Sequence, residues 1–501
     1  MRTHVPHRVE PGQVACVVAD NDSSRRNRPR PAPGPVEMPF RKLPFQAAKR
    51  GRLDSEWSED VAEDGDATDA TGDVGHNCLA IQGRYKYGGI WQMSTSLRIR
   101  RMMEFLVLAC TTLGCIGVGY ADVSPTIAWP TRGWHKATPD SVGLDDRTLV
   151  DLDTDFAAGK YGLVDSFQIF RCGTEVFGRK YSHDYSRIYG KDAKVKGPLN
   201  ARLTGRYNYF DPAWHPYYQG TDLHSMQSVS KTVTSVILGI AVTRGDFKAG
   251  LNTPVLNYFD IAKVKNVDER KRRMTLKDVL TMTTGFEWNE EVPYDDPRND
   301  ASSMEAADDW VQYVMDKPMA NDPGTVFTYS SGATELLAHI FKKETGQDIE
   351  AYGEKHLFAP LGIKHHWKRT YLGVVDTEGG LYLTGADLAK IGYLYLHDGV
   401  WGGKRIVSEQ WIKQSLTPFI DTGWQGLQYG YMWWLYPRKD SGRVVWMGIG
   451  FGGQRLMVFP SEQLIATFTG WDILQDPAID AELANRLLPA IIAAKCPDNV
   501  H

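Results

Sequence analysis

The chain has 501 residues, of which 42% are hydrophobic and 11% are aromatic, and its formal net charge at pH 7 is -4. This length allows two or three folding units, and the apolar content is enough for a sizeable core. Because the chain has no overall basic bias, its charge gives no argument for nucleic acid or an anionic membrane as a partner.

Residues 1–92 differ in composition from the rest of the chain. They contain the basic, proline-rich segment RRNRPRPAPGPVEMPFRK and the acidic segment DSEWSEDVAEDGDATDATGDVG. Neither segment can bury enough apolar surface to offset the entropy of ordering, so both are predicted to be disordered. A solvated tail accounts for the basic run better than binding of nucleic acid or another polyanion does.

Residues 93–121 have the layout of a secretory signal peptide. A cluster of three arginines precedes an apolar run over residues 105–118, and small residues follow up to Ala121. This layout is typical of exported proteins, and the run is too short for a comfortable membrane span. We therefore expect a periplasmic or secreted protein, cleaved near Ala121 and without an integral membrane span in its mature form.

A signal peptide normally lies at the very N-terminus of the translated chain. The translation start is therefore expected at Met93, Met102 or Met103, and residues 1–92 are then not made or not kept. Cys110 and Cys115 lie inside the apolar run and fit a lipoprotein acylation site only in part. A lipid anchor is the less favoured alternative.

Beyond the signal peptide the only cysteines are Cys172 and Cys496. They allow one disulfide, although the sequence does not show whether they pair, and they exclude a disulfide framework. Residues 122–501 have a globular composition throughout, without an internal repeat. This predicts one catalytic unit that is stabilised by a hydrophobic core.

The first elements of this unit follow from local patterns. LDDRTLVDLDTDFAAG predicts a helix, and SFQIFRCGTEVFGRKY, Ser166 to Tyr181, predicts a β-hairpin. Between Gly245 and Leu361 the pattern is mainly helical. There, MTLKDVLTMTTG and ATELLAHIFKKETG each end in a glycine that suits a helix C-terminus.

The C-terminal part combines helices and strands. LTGADLAKIGYLYLHDG and SEQWIKQSL are predicted as amphipathic helices, and AELANRLLPAIIAAK as the closing helix. YGYMWWLY, GRVVWMGIGFGG, QRLMVFPSEQ and LIATFTGWD follow one another as antiparallel strands do. Strands near both ends with helices between them predict an α/β (α+β) fold, in which an antiparallel sheet is flanked by helices and carries an inserted all-helical lobe at about residues 245–361.

One helix carries a candidate nucleophile. MQSVSKTVTSVILGIAV places Ser228 in the first helical turn, where free backbone N–H groups and the helix dipole favour negative charge. Lys231 follows three residues later on the same face, and a neutral lysine can take the serine proton. Such a spacing also arises by chance, so a surface lysine on a core helix is the alternative.

Two later motifs complement this pair. PGTVFTYSSGATELLAHI places Tyr329 and Ser331 on a polar turn before a helix, and a tyrosine beside a serine and a lysine can shuttle protons. GIGFGG, Gly448 to Gly453, lies between two strand-like runs, where glycines often mark the close approach of a backbone or a ligand. It predicts a substrate-binding strand edge that donates an N–H to an oxyanion, with a simple bulge as the alternative.

These three motifs, in this order, resemble the active-site motifs of the serine β-lactamase and penicillin-binding-protein superfamily. The phrases MTLKDVLTMTTGFEWNE, LGIKHHW and GLYLTGADLAKIGYLYLHDG resemble its class C β-lactamase-like branch. Within that branch the chain is most similar to the 6-aminohexanoate-dimer (nylon oligomer) hydrolases and related carboxylesterases. Trp288-Asn289-Glu290 followed by Tyr294 resembles the segment that carries a substrate-side tyrosine in those enzymes.

The resemblance implies a β-lactamase/transpeptidase-like fold and a role for each motif. It implies that Ser228 is the nucleophile, Lys231 its activating partner and Tyr329 the proton shuttle to and from the leaving group. The oxyanion hole is then the Ser228 N–H and one N–H of the glycine-rich strand. Phe451 is the expected donor.

Four positions complete the expected substrate side. Gly450 and Gly452 flank Phe451, so that the register of the strand decides which amide donates. Tyr294 and Ser331 are expected to contact the substrate, and Ser331 stands where β-lactamases usually have an asparagine.

Two departures from the β-lactamase pattern affect the expected substrate. The third motif lacks the lysine of KTG, and a serine replaces the usual asparagine. Both changes remove polar contacts for a β-lactam. The predicted function is therefore a serine hydrolase, an esterase or amidase, that acts through an acyl-enzyme on small esters or linear amides. The alternatives are a β-lactamase or D,D-peptidase, and a non-catalytic envelope protein that binds peptides.

Other enzyme classes lack their motifs here. The sequence has no GxSxG elbow, no HExxH zinc motif and no Walker motif, and His365-His366 suits surface or capping roles better than metal ligation. No cofactor or metal is expected. The expected partner is a small ester or amide and not a nucleic acid, whereas the natural substrate and the oligomeric state stay open. The aromatic run YGYMWWLY is expected in the core, with a pocket wall as the alternative.

Overall fold

The computed structural model describes residues 129–475, 480–492 and 496. The chain divides into two units, Met1–Leu43 and Pro44–His501, and every described residue belongs to the second. The predicted disordered segment, the predicted signal peptide and the two cysteines within it lie outside the described residues. Those expectations stay predictions.

The strands form one large sheet and two small ones. Their bounds are β1 His135–Lys136, β2 Val164–Arg171, β3 Thr174–Lys180, β4 His224–Ser225, β5 His366–Trp367, β6 Leu381–Leu383, β7 Val400–Trp401, β8 Lys404–Arg405, β9 Ile420–Asp421, β10 Gln428–Tyr429, β11 Trp434–Pro437, β12 Val444–Gly450, β13 Gln454–Phe459 and β14 Leu464–Gly470. The large sheet has nine strands in the order β1-β3-β2-β14-β13-β12-β11-β10-β9, and the small sheets are β4-β6-β5 and β7-β8. In the large sheet only β1 and β3 pair in parallel. The predicted antiparallel sheet, built from both ends of the chain, is confirmed.

The predicted N-terminal hairpin is formed by β2 and β3. Its turn is Cys172-Gly173, with φ angles of 52° and 76°, and two successive positive φ angles match the twist of a tight hairpin. β2 also pairs with β14, which places the first hairpin beside the last strand. Cys172 is bonded to Cys496, 324 residues away, with 5.7 Å between the Cα atoms. The two cysteines whose pairing the sequence left open are therefore joined.

The helices cover the sheet and fill the segment between its two halves. They are α1 Asp146–Ala157, α2 Tyr185–Ile188, α3 Val229–Arg244, α4 Glu269–Arg273, α5 Leu276–Leu280, α6 Asp300–Ala306, α7 Trp310–Met315, α8 Ser331–Thr345, α9 Ile349–Gly353, α10 Ala359–Leu361, α11 Gly385–Leu396, α12 Glu409–Ser415 and α13 Asp480–Leu487. Residues 245–361 are described without a gap and contain helices and connecting segments but no β-strand.

Helix α3 is the central helix of the core. Every residue from Val229 to Ala241 is buried, because the helix is apolar on nearly all sides and packs against β12 and β13. A helix buried all round holds its first turn rigidly. The structure therefore presents Ser228 at the N-terminal end of a buried helix.

Two predicted helix ends were wrong. The helix of MTLKDVLTMTTG ends at Leu280 and does not continue to Gly285, because Met282 takes a positive φ of 56°. The closing helix ends at Leu487, where Pro489 lacks the N–H needed to continue it and a 3-10 turn follows. By contrast, α8 ends at Gly346 with a φ of 73°, as predicted.

Candidate active site

Ser228 and Lys231 meet at the start of α3. Ser228 is the N-cap residue of this helix and is half-buried, whereas Lys231 is 1% exposed. The Lys231 Nζ donates a hydrogen bond of 2.8 Å to the Ser228 Oγ. The alternative of a surface lysine on a core helix is therefore wrong.

The Lys231 ammonium is surrounded by oxygen atoms. Besides Ser228, its Nζ contacts the Ser331 Oγ at 3.1 Å, the Glu378 main-chain oxygen at 2.8 Å and the Glu378 Oε2 at 3.3 Å. Burial of an unpaired ammonium is costly, so these four acceptors explain how a lysine is held inside an apolar helix. Glu378 lies in the connection between β5 and β6, and the sequence analysis did not single it out.

A second buried carboxylate, Glu290, holds the serine motif in place. Its Oε1 accepts from the Ser331 Oγ and the Tyr294 hydroxyl, each at 2.7 Å. Its Oε2 accepts from the Ser331 N–H at 2.8 Å and the Trp288 indole N–H at 2.7 Å. Burial raises the pKa of Glu290, and the Lys231 charge and the hydrogen bonds from Ser331 and Tyr294 oppose that rise.

This arrangement fixes the direction of the Ser331 hydroxyl. Because the Ser331 Oγ donates to Glu290, it presents a lone pair to the Lys231 ammonium. Ser331 and Tyr294 were both expected on the substrate side, and the structure has both of them donating to Glu290. Ser331 thus links Lys231 to Glu290, and a substrate group at this serine competes with a bond that already exists.

Tyr329 lies beside the same lysine. The Lys231 Nζ is 5.3 Å from the centre of the Tyr329 ring, and this ring lies 5.4 Å from the Trp434 ring. Trp434 is 3% exposed and Trp433 is fully buried, so YGYMWWLY is core, as expected. Trp434 nevertheless borders the site, because its ring packs beside the Tyr329 ring.

The glycine-rich strand passes close to the start of α3. A Cβ atom on Gly450 would lie 2.6 Å from the Met226 main-chain oxygen, and one on Gly448 would lie 3.1 Å from a methyl group of Val229. The close approach that the glycines predicted therefore exists, and it brings β12 against the turn that holds Ser228. Among the described residues, neither the Ser228 N–H nor the Phe451 N–H has a hydrogen-bond acceptor within the chain.

The turn after β12 is held by two residues that the sequence analysis missed. Gln454 donates to the Phe451 oxygen at 3.1 Å and accepts from the Gly470 N–H at 3.2 Å. Arg455 donates to the Gly450 oxygen at 2.7 Å and forms an ion pair with Asp480 in α13. The phrase GGQR after the strand was the available signal. Gly452, with a φ of 78°, belongs to the same turn.

The two adjacent histidines lie away from this site and point to different neighbours. His366 stacks on Tyr218 with 3.7 Å between ring centres, whereas His365 lies 3.6 Å from Glu350. In the ranges that the structure describes, no group of three or more His, Cys, Asp or Glu side chains is placed to hold a metal ion. No helix in those same ranges has the length and apolar character needed to cross a membrane.

Comparisons with known proteins agree on one family. Residues 211–470 match the family model described as Beta-lactamase. The 6-aminohexanoate-dimer hydrolase of Paenarthrobacter ureafaciens is 26% identical over 272 residues, which cover 50% of this chain and 67% of that protein. The beta-lactamase of Escherichia coli K12 is 25% identical over 213 residues, which cover 42% of this chain and 51% of that protein.

A solved structure gives the same result for the fold. A Bacillus anthracis protein, provisionally assigned as a 6-aminohexanoate-dimer hydrolase, superposes with a TM-score of 0.50 at 18% identity and covers 72% of this chain and 86% of that one. At this identity the likeness concerns the fold alone. The expected β-lactamase/transpeptidase-like fold and the expected superfamily are confirmed.

Proposed function

The chain belongs to the beta-lactamase family, and we propose that it is a serine hydrolase that cleaves small esters or linear amides through an acyl-enzyme on Ser228. The observation that carries the proposal is the 2.8 Å contact between the Lys231 Nζ and the Ser228 Oγ at the N-terminus of a buried helix. A hydroxyl in this position has both a base within reach and a positive helix end beside it.

Acylation begins when Lys231, as a free amine, takes the proton of the Ser228 hydroxyl. The Ser228 Oγ then attacks the substrate carbonyl carbon, and the carbonyl oxygen becomes an oxyanion. The N–H groups of Ser228 and Phe451 donate to this oxyanion, and both are free of acceptors within the described chain. Gly450 allows β12 to lie close to the turn before Ser228, since a Cβ at this position would lie 2.6 Å from the Met226 main-chain oxygen.

Collapse of this intermediate breaks the ester or amide bond. Tyr329, beside Lys231, gives its proton to the leaving alcohol or amine and is reprotonated from the lysine. A water molecule then attacks the acyl-enzyme, its proton passes back along the same path, and Ser228 regains its hydrogen. The acid is released, and the resting state is restored.

The proposed substrate class follows from two polar contacts for a β-lactam that the site does not offer. The glycine-rich strand carries no lysine where KTG enzymes have one, and the Ser331 hydroxyl is engaged with Glu290. The relative from Paenarthrobacter ureafaciens supports a linear amide as substrate. The relative from Escherichia coli favours β-lactam hydrolysis as the second candidate. We also propose that the chain belongs to the class C-like branch of the family.

A substrate panel tests the proposal. Purified mature protein and the Ser228→Ala variant are assayed with p-nitrophenyl acetate and butyrate, linear amide dimers, D-Ala-D-Ala peptides and nitrocefin, and both proteins are exposed to a fluorophosphonate probe. We expect turnover of esters or amides and labelling, both lost in Ser228→Ala. Rapid nitrocefin turnover or a stable penicillin adduct favours the second candidate. No labelling and no turnover favours a peptide-binding protein without catalytic activity.

We also propose that the protein is exported. The layout of residues 93–121 and the bond between Cys172 and Cys496 support this, because disulfides persist in oxidising compartments. N-terminal sequencing of the protein recovered outside the cytoplasm is expected to begin just after Ala121. Recovery of residues upstream of Met93 contradicts the proposed translation start.

A further inference from the structure

The side chain of Glu378 contacts Lys231 in addition to the main-chain oxygen of the same residue. The Glu378 Oε2 lies 3.3 Å from the Lys231 Nζ, and the two side chains are 7% and 1% exposed. The main-chain oxygen of Glu378 contacts the same ammonium at 2.8 Å. The carboxylate adds a negative charge beside this neutral acceptor.

A second acid, Glu305 of α6, lies against Glu378 and hydrogen-bonds to it. Glu305 also accepts a hydrogen bond of 2.6 Å from the Tyr209 hydroxyl. Burial raises the pKa of Glu305 well above its usual value. Burial also acts to raise the pKa of Glu378, but the Lys231 charge and the hydrogen bond with Glu305 outweigh it and hold that pKa low. Both directions favour a proton on Glu305 and a charge on Glu378.

Other charged and titratable groups surround this pair. Asp376 lies 3.6 Å from Lys368 and accepts from the Gly379 N–H, and Glu335 accepts from the Thr377 N–H at 3.0 Å. The titratable groups of the surrounding elements that interact electrostatically with Lys231 or Glu378 include Tyr209, Glu290, Tyr294, Glu305, Glu335, Lys368, Asp376 and Tyr429. Among the carboxylates of this set, only Glu378 touches Lys231 directly within the described residues.

We propose that Glu378 is a positioning residue that acts through Lys231: its carboxylate is the counter-ion of the Lys231 ammonium and determines the pH range in which the Ser228 and Lys231 pair is active. This inference rests on the proposed function, since it concerns the same serine and lysine. A carboxylate in contact with a buried ammonium favours the charged group over the free amine that acylation requires, so we expect Glu378 to restrict activity at low pH.

The direction of the expected effect follows from this charge. An opposite charge within about 4–6 Å shifts a titration by about 1–3 pH units in favour of the charged form. Glu378→Gln removes the negative charge and keeps the main-chain oxygen at Lys231. The acid limb of the kcat/KM profile is expected to move down by about 1–2 pH units.

The matched control is Glu305→Gln. The amide of this variant leaves the Glu378 carboxylate in place, can donate to it from its NH₂ group and can accept from the Tyr209 hydroxyl through its oxygen. We expect the acid limb of this variant to stay within about 0.3 pH unit of wild type, because the charge beside Lys231 is unchanged. If the acid limb of the Glu305→Gln profile moves as far as that of Glu378→Gln, the assignment of the charge to Glu378 is overturned.

The experiment measures kcat/KM for p-nitrophenyl butyrate against pH for wild type, Ser228→Ala, Glu378→Gln and Glu305→Gln. Circular dichroism checks the fold of each variant. If wild type is inactive or Ser228→Ala retains activity, the proposed function fails. If activity depends on Ser228 but the Glu378→Gln limb is unchanged, only the role of Glu378 fails.

Glu378→Asp keeps the proposal testable if Glu378→Gln does not fold. Its carboxylate is withdrawn from Lys231 by one methylene, so the limb is expected to move in the same direction by about 0.5 pH unit. If the acid limb of the kcat/KM profile of folded Glu378→Asp stays unchanged or moves to higher pH, the proposal is overturned.

Discussion

Replacement of Glu290 by glutamine is the sharpest test of the hydrogen-bond network behind the serine motif. The carboxylate accepts four hydrogen bonds, two of them from Ser331. A glutamine has one oxygen and one NH₂ group. The N–H groups of Ser331 and Trp288 cannot reverse, so the amide oxygen is expected to face them and the NH₂ group to face the hydroxyls of Ser331 and Tyr294.

The cost of this substitution can be worked out from the four bonds. Each hydrogen bond to a charged group contributes about 1.5–3 kcal/mol. In Glu290→Gln all four bonds lose their charged acceptor, and the two from the hydroxyls face an NH₂ group instead of an oxygen. The two hydroxyls can rotate to accept from the amide, which recovers part of the loss. We expect the free energy of unfolding to fall by about 2–4 kcal/mol.

The same substitution is expected to reduce activity. With an amide NH₂ donating to it, the Ser331 hydroxyl no longer presents its oxygen to Lys231 in the original geometry. Misalignment of a reacting group lowers the reaction rate by up to about 100-fold, so kcat/KM for p-nitrophenyl butyrate is expected to fall about 10- to 100-fold.

Urea unfolding and steady-state kinetics measure both effects. Glu291→Gln is the matched control, because Glu291 is the exposed neighbour of Glu290 in the chain, and its change in stability is expected to stay within about 0.5 kcal/mol. If Glu290→Gln matches wild type in both stability and kcat/KM, the network neither stabilises the fold nor orients Ser331.

Three further predictions concern the strand, a buried lysine and a buried acid. Gly450→Ala is expected to lower kcat/KM at least about 10-fold, because its Cβ meets the Met226 oxygen at 2.6 Å. The control is Gly250→Ala, whose Cβ meets nothing within 4 Å. If the two variants have equal kinetics, the close approach of β12 does not matter for activity. Lys271→Met is expected to lower the free energy of unfolding in urea by about 2–4 kcal/mol, since the Lys271 Nζ donates to three main-chain oxygens, and a loss below about 0.5 kcal/mol refutes this. Burial raises the pKa of Asp376 to about 6 in the folded chain, so its protonated form favours folding at low pH and that stability is lost as pH rises through about 4 to 6. Wild type is therefore expected to lose up to about 2–3 kcal/mol relative to Asp376→Asn over that window in pH-resolved urea unfolding, and parallel curves refute the shift.

Much of the fold was predictable because its signals are local. The hairpin turn Cys172-Gly173, the strands of the C-terminal meander and the glycine end of α8 depend on residues close together in sequence. The helix ends at Leu280 and Leu487 were mispredicted because one positive φ at Met282 and one proline outweighed a longer helical pattern.

The sequence by itself determined the pairing of Ser228 with Lys231, because a spacing of three residues on a helix places two side chains on one face. It also determined the order of the motifs that indicates the family. Only the tertiary structure decided what surrounds Lys231: Glu378 lies 147 residues away in sequence, and Glu290 reaches Ser331 across 41 residues. Both acids come from connecting segments whose paths no periodic pattern encodes. Their contacts arise only when the chain packs, because the buried ammonium and hydroxyl require acceptors that the local sequence does not supply.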